Sequence, residues 1–124
     1  MKKLLPLLLL APALAATAQT APALPPIRHE FLDSTFAVLP SATGARYRRE
    51  TAYADSLGGE VRDYYLSGQL QSRGQYENIR REIIHGAYDT YYPGGQLESH
   101  TTSRHGQLEG EQLRYYPDGR VEQR

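Results

Sequence analysis

Three stretches of this chain repeat one another: Tyr64-Tyr65-Leu66-Ser67-Gly68-Gln69-Leu70, Tyr91-Tyr92-Pro93-Gly94-Gly95-Gln96-Leu97 and Tyr115-Tyr116-Pro117-Asp118-Gly119-Arg120-Val121. Each has a glycine six residues before its second tyrosine: Gly59, Gly86 and Gly110. Recurrence of this kind signals one supersecondary unit stacked on copies of itself, since a single unit cannot cover its own apolar face. The fold must therefore be built from whatever one copy forms.

One copy reads as a β-hairpin. Proline at the second turn position of two copies presets φ, and the closing glycine accepts the left-handed conformation that ends a type I turn with a bulge. The doublet tyrosines enter a three-residue loop, and a Gln/Arg-Leu/Val pair leaves it. Tyr65, Tyr92 and Tyr116 then stand opposite Gln69, Gln96 and Arg120. One step out, Tyr64 faces Leu70, Tyr91 faces Leu97 and Tyr115 faces Val121. Opposed side chains share a sheet face, so these three pairs are expected on the more buried side, with Tyr65, Tyr92 and Tyr116 on the other. Gly86 and Gly110 fall inside strands, where a neighbouring tyrosine ring is expected to lie across the bare backbone. Reversals between hairpins are expected at Glu77-Asn78 and at Arg104–Gln107. The whole reads as all-β, a single-layer antiparallel meander of hairpins with no helix-length amphipathic segment after Tyr47.

The repeat region spans 58–124. Before it, 31–57 is a lead-in whose Phe31, Leu32, Phe36, Val38 and Leu39 suit either a strand or a short helix, followed by a strand over Tyr47–Tyr53. Residues 19–30 carry Pro22, Pro25 and Pro26 among alanines and suit an extended tether, with order starting near Phe31. Residues 1–18 have the basic start, short apolar stretch and small-residue end of a secretory signal, cut between Ala18 and Gln19. The chain is thus expected outside the cytoplasm, periplasmic or extracellular, without an integral membrane segment once mature. It has no cysteine, so neither a lipid anchor on cysteine nor a disulfide is available. Removal of Lys2 and Lys3 leaves 12 arginines against 14 acids, a net charge of −2. A near-neutral, interspersed surface lacks the general attraction a nucleic-acid binder needs, which excludes that partner class.

The pattern Gly-x-x-x-Tyr/Leu-x-Tyr-Tyr-x-x-Gly-x-Leu resembles the MORN-type repeats of bacteria, in particular the YwqK-type family labelled as antitoxins. It is also similar to repeats in the periplasmic part of TonB-type energy transducers. Tyr88 stands where such repeats often have tryptophan. The resemblance implies a β-repeat scaffold that binds protein, with lipid contact as a further use, and alternatively a toxin-neutralising role; glycan contact is an expectation from the tyrosine stripe of Tyr65, Tyr88, Tyr92 and Tyr116.

No catalytic residue, metal ligand set or cofactor motif emerges. His100 and His105 do not share a strand face and His85 belongs to another strand, so compact metal-ligand spacing is missing. Ser67 sits in a turn and not in a nucleophile elbow. Glu109 and Glu111 read as a solvated face. What remains is tyrosine, with ten copies in the chain, a side chain combining a rigid apolar body with a polar tip. Tyr65, Tyr88, Tyr92 and Tyr116 are the expected aromatic stripe for a partner. Gly59, Tyr64, Gly68, Leu70, Gly86, Tyr91, Gly95, Leu97, Gly110, Tyr115, Gly119 and Val121 are the residues that shape the repeat.

Overall fold

The computed structural model describes residues 26–124, whose regular structure is entirely β. The expected signal at 1–18 and most of the tether lie outside the described residues. The strands are β1 (Arg28–Leu32), β2 (Val38–Leu39), β3 (Tyr47–Tyr53), β4 (Gly59–Tyr65), β5 (Leu70–Asn78), β6 (Ile83–Tyr91), β7 (Leu97–Arg104), β8 (Gln107–Leu108), β9 (Leu113–Tyr115) and β10 (Val121–Gln123). They form one antiparallel sheet in the order β10-β9-β7-β6-β5-β4-β3-β1-β2, with the short β8 also pairing β7. The lead-in resolves as strand: β1 runs from Arg28 to Leu32 and pairs both β2 and β3.

The three repeat hairpins are β4–β5, β6–β7 and β9–β10, and their loops close identically. The amides of Gly68, Gly95 and Gly119 each donate to the carbonyl of Tyr65, Tyr92 or Tyr116 at 2.9 Å. The same tyrosines donate their own amides to Gln69, Gln96 and Arg120 at 2.8–2.9 Å. Left-handed φ values of 93°, 96° and 89° at the closing glycines complete the type I turn with its bulge. The registers Tyr64↔Leu70, Tyr91↔Leu97 and Tyr115↔Val121 are those the repeat predicts, each followed by a second bulge that re-sets alternation.

The distribution of burial reverses one expectation. Thr51, Val61 and Gly74 are directly opposed, as are Asp63 and Ser72, and all are buried. They share the face of Tyr47 and Tyr65, opposite to the Tyr-aliphatic pairs. Tyr64, Leu70, Tyr91, Leu97 and Tyr115 are only half-buried and Val121 is 45% exposed. What shares their side is a row of charged residues, of which Asp89 is buried while Arg62 and Arg73 are exposed. The doublet partners, in contrast, lie over their own face with Tyr76 and Tyr88.

Glycine placement follows from those rings. At Gly74 a Cβ would sit 2.5 Å from the Tyr88 ring and 2.9 Å from that of Tyr76, so the ring-over-glycine contact expected at Gly86 and Gly110 occurs at Gly74 instead. A Cβ at Gly86 would meet Gln75, and at Gly110 nothing. Both of those glycines serve backbone conformation, with φ of 117° and 71°.

The loops at the other end of the sheet differ among copies. The turn between β7 and β8 is the two-residue His105-Gly106, both at positive φ (51° and 85°), the signature of a type I′ hairpin. Between β5 and β6 the reversal falls at 79–82 and not at Glu77-Asn78, which remain in β5. There the Asn78 side chain accepts the Arg81 amide at 3.1 Å and closes the longer turn. Among the described residues only Leu32 and Val61 are buried apolar side chains. A sheet with so small a core relies on tyrosine rings, hydroxyls and backbone pairing.

Candidate functional site

Tyr65, Tyr88, Tyr92 and Tyr116 lie on one face. Tyr65 opposes Tyr47 and Tyr88 opposes both Gly74 and Thr101, while Tyr92 and Tyr116 alternate away from Tyr91 and Tyr115. Two of the four are committed to the fold. The Tyr65 hydroxyl donates to the Tyr91 carbonyl at 2.7 Å, and the Tyr92 hydroxyl to the Tyr115 carbonyl at 2.6 Å. Each hairpin is thereby tied to the next by the same residue of the repeat. Burial pushes the Tyr65 phenol above its ordinary pKa. Tyr116 is 43% exposed, and its ring carries the Arg120 guanidinium 5.4 Å above its centre.

The lead-in extends this face. Phe36, held at φ 65° in the turn that Asp33 caps, stacks on Tyr47 at 4.2 Å, and Tyr47 meets Tyr65 at 5.9 Å. Beside them the Arg49 guanidinium grips the Asp63 carboxylate with two bonds of 2.7 and 2.9 Å, which raises the Arg49 pKa. Thr90 and Ser99 share a hydrogen bond of 2.6 Å in the same row. An open cleft of about 380 Å³ lies among Phe36, Arg49, Asp63, Tyr76, Ile84 and Tyr88. Burial pushes the Tyr76 phenol up to about 12. Tyr47, Tyr76 and Phe36 belong to no repeat position in the stripe, so only the strand registers reveal that they join it. The face can stack and exchange hydrogen bonds.

The opposite face is a ladder of charge. His29, Glu50, Arg62, Arg73, Asp89 and His100 stand in direct opposition from strand to strand. Glu60 bridges Arg62 at 3.1 Å and Arg73 at 3.6 Å, and the Arg62 guanidinium holds the Glu60 carboxyl below its usual range. His100 is hydrogen-bonded to Asp89. Arg48 lies 5.0 Å over the Tyr64 ring, and the Tyr64 hydroxyl donates to Glu50 at 3.3 Å. Arg62 and Arg73 oppose each other directly, and Glu60 and Asp89 beside them offset the two guanidinium charges, so the face presents no field of one sign.

At the far end of the sheet the structure assembles three side chains that the sequence left apart. His85 of β6 and His105 of the type I′ turn stand with ring centres 4.8 Å apart, and Glu77 of β5 meets both. Their adjacency depends on how the 79–82 loop sets β5 beside β6, which spacing along the chain does not reveal.

A family model described as MORN repeat variant matches residues 57–78 and 108–124. The matched stretches hold the first and third hairpins, and the second, lying between them, closes with the same hydrogen bonds. No curated protein and no solved structure matches significantly.

Proposed function

We propose that this chain, similar over residues 57–78 and 108–124 to a family model described as MORN repeat variant, is an exported, non-enzymatic scaffold module that binds a protein partner on its tyrosine face. Repeats of this type typically serve as protein- or membrane-binding modules. The observation that carries the reading is a face of aromatic rings and hydroxyls over which the described residues place no second layer. Tyrosine contributes large rigid contact area at low entropic cost, and surfaces of this composition are those protein partners cover.

Protein is favoured over membrane by charge. Anionic lipid surfaces attract clusters of Lys and Arg, whereas several arginines here are paired with carboxylates, among them Arg49 with Asp63, Arg62 with Glu60 and Arg120 with Asp118. Export rests on residues 1–18. The chain purified from its native cell should begin at Gln19, and an intact Met1 would contradict export.

The binding test uses the mature chain as bait in envelope extracts. Tyr116→Ser removes the exposed ring without touching a tie between hairpins, and Arg62→Ala alters the opposite face. We expect Tyr116→Ser to cut recovery of the captured protein at least tenfold and Arg62→Ala to leave it unchanged. Undiminished capture by Tyr116→Ser, or loss confined to Arg62→Ala, would overturn the assignment of the face.

A further inference from the structure

We propose that Glu77, His85 and His105 form a binding site for a divalent transition metal of the zinc class. One ligand atom from each lies within 4.8 Å of the others. His105 Nδ1 is 2.6 Å from Glu77 Oε2, and His85 Nδ1 is 3.7 Å from the same oxygen. Zinc bonds of ~2.0–2.2 Å at tetrahedral angles place ligand atoms ~3.3 Å apart, a spacing bracketed by those two distances.

The donor types select the ion. Two imidazoles and one carboxylate form a borderline ligand set that suits zinc, whereas magnesium and calcium require all-oxygen shells. One carboxylate and two neutral imidazoles supply a single negative charge against the dication. The neighbouring Arg104 is paired with Glu109 at 3.4 Å, which reduces its repulsion of a cation. With three protein ligands, all solvent-exposed, a fourth position is left for water.

The backbone fixes the site before any ion arrives. His105 holds φ of 51° in the type I′ turn, where the Gly106 amide donates to Ile84 at 2.8 Å; the His105 amide also donates to His85 Nδ1 at 3.2 Å, a long bond whose acceptor lone pair must turn to the metal when one binds. Type I′ loops ordinarily favour Asn, Asp or Gly at that place. Histidine there aims an imidazole at strands β5 and β6 from a defined position. Without metal, His105 Nδ1 and Glu77 Oε2 share a hydrogen bond of 2.6 Å; a cation entering the set takes the place of that bond, with the neutral His105 ring carrying its one proton on Nε2.

The test is a calorimetric titration of the purified mature chain with zinc, in a buffer that does not chelate it. One ion per chain is expected. His105→Asn keeps the left-handed turn residue while deleting the ligand, and it should weaken zinc binding at least tenfold with the metal-free melting temperature unchanged. Glu77→Gln and His85→Gln should each weaken it comparably, whereas His29→Gln, which lies strands away, should bind as the unmodified chain does. Absence of saturable binding would overturn the proposal, as would a His85→Gln/His105→Asn double variant that binds zinc undiminished.

Discussion

The tyrosine doublet assigns opposite tasks to adjacent residues. Tyr64, Tyr91 and Tyr115 pair with aliphatic residues across their own hairpins, while Tyr65 and Tyr92 reach to the following hairpin's backbone. A hydroxyl-to-carbonyl bond of this kind contributes about 1 kcal/mol, or about 5 °C in melting temperature for a domain of this size. Tyr65→Phe and Tyr92→Phe are each expected to destabilise by that amount in thermal unfolding. Tyr116→Phe, whose hydroxyl has no acceptor among the described residues, should fall within about 0.5 kcal/mol of the unmodified chain. Tyr76 reports on burial of the same face. Its folded pKa of about 12 exceeds the ordinary phenol value of 10.0, so the folded state keeps its proton where the unfolded chain has lost it. The contribution is complete below pH 10 and is lost as pH rises toward 12. Tyr76→Phe should flatten that alkaline decline in chemical denaturation, and an unchanged decline would remove Tyr76 as its source.

At the scale of the hairpin, the sequence was informative because the turn chemistry is local. A closing glycine at fixed distance from a tyrosine doublet sets the loop, and the loop sets the register out to Tyr64↔Leu70 and its two counterparts. Gly68 isolates the conformational part of this. A Cβ there meets nothing within 4 Å, yet φ is 93°. Gly68→Ala is therefore expected to cost about 1–2 kcal/mol from backbone strain alone, and Gly68→Asn less, as judged by denaturant midpoints. Equal stability of both variants would show that the left-handed turn is not required. What the sequence left hidden was non-local. Which face is more buried depends on rings from neighbouring hairpins, and Tyr76 and Tyr88 meeting over Gly74 requires the β5–β6 register. The same register brings His85 and His105 to Glu77 through a 79–82 loop whose position composition did not mark.

Across the described residues the molecule is one layer of strands whose two faces differ in kind. One side holds charges that satisfy each other across strands and keep it in water. The other concentrates ring and hydroxyl, with Leu32 and Val61 the only buried apolar side chains among the described residues. The sheet edges give a partner little to extend, since β10 is short and bulged and β2 is only Val38–Leu39. Attachment through a face is the arrangement this geometry favours. Hydroxyl-radical footprinting of tyrosine side chains, with and without the captured partner, tests it most directly, because the doublets place adjacent tyrosines on opposite sides. Protection of Tyr88, Tyr92 and Tyr116 with unchanged labelling of Tyr64, Tyr91 and Tyr115 is the predicted result; protection of the second set alone would contradict it.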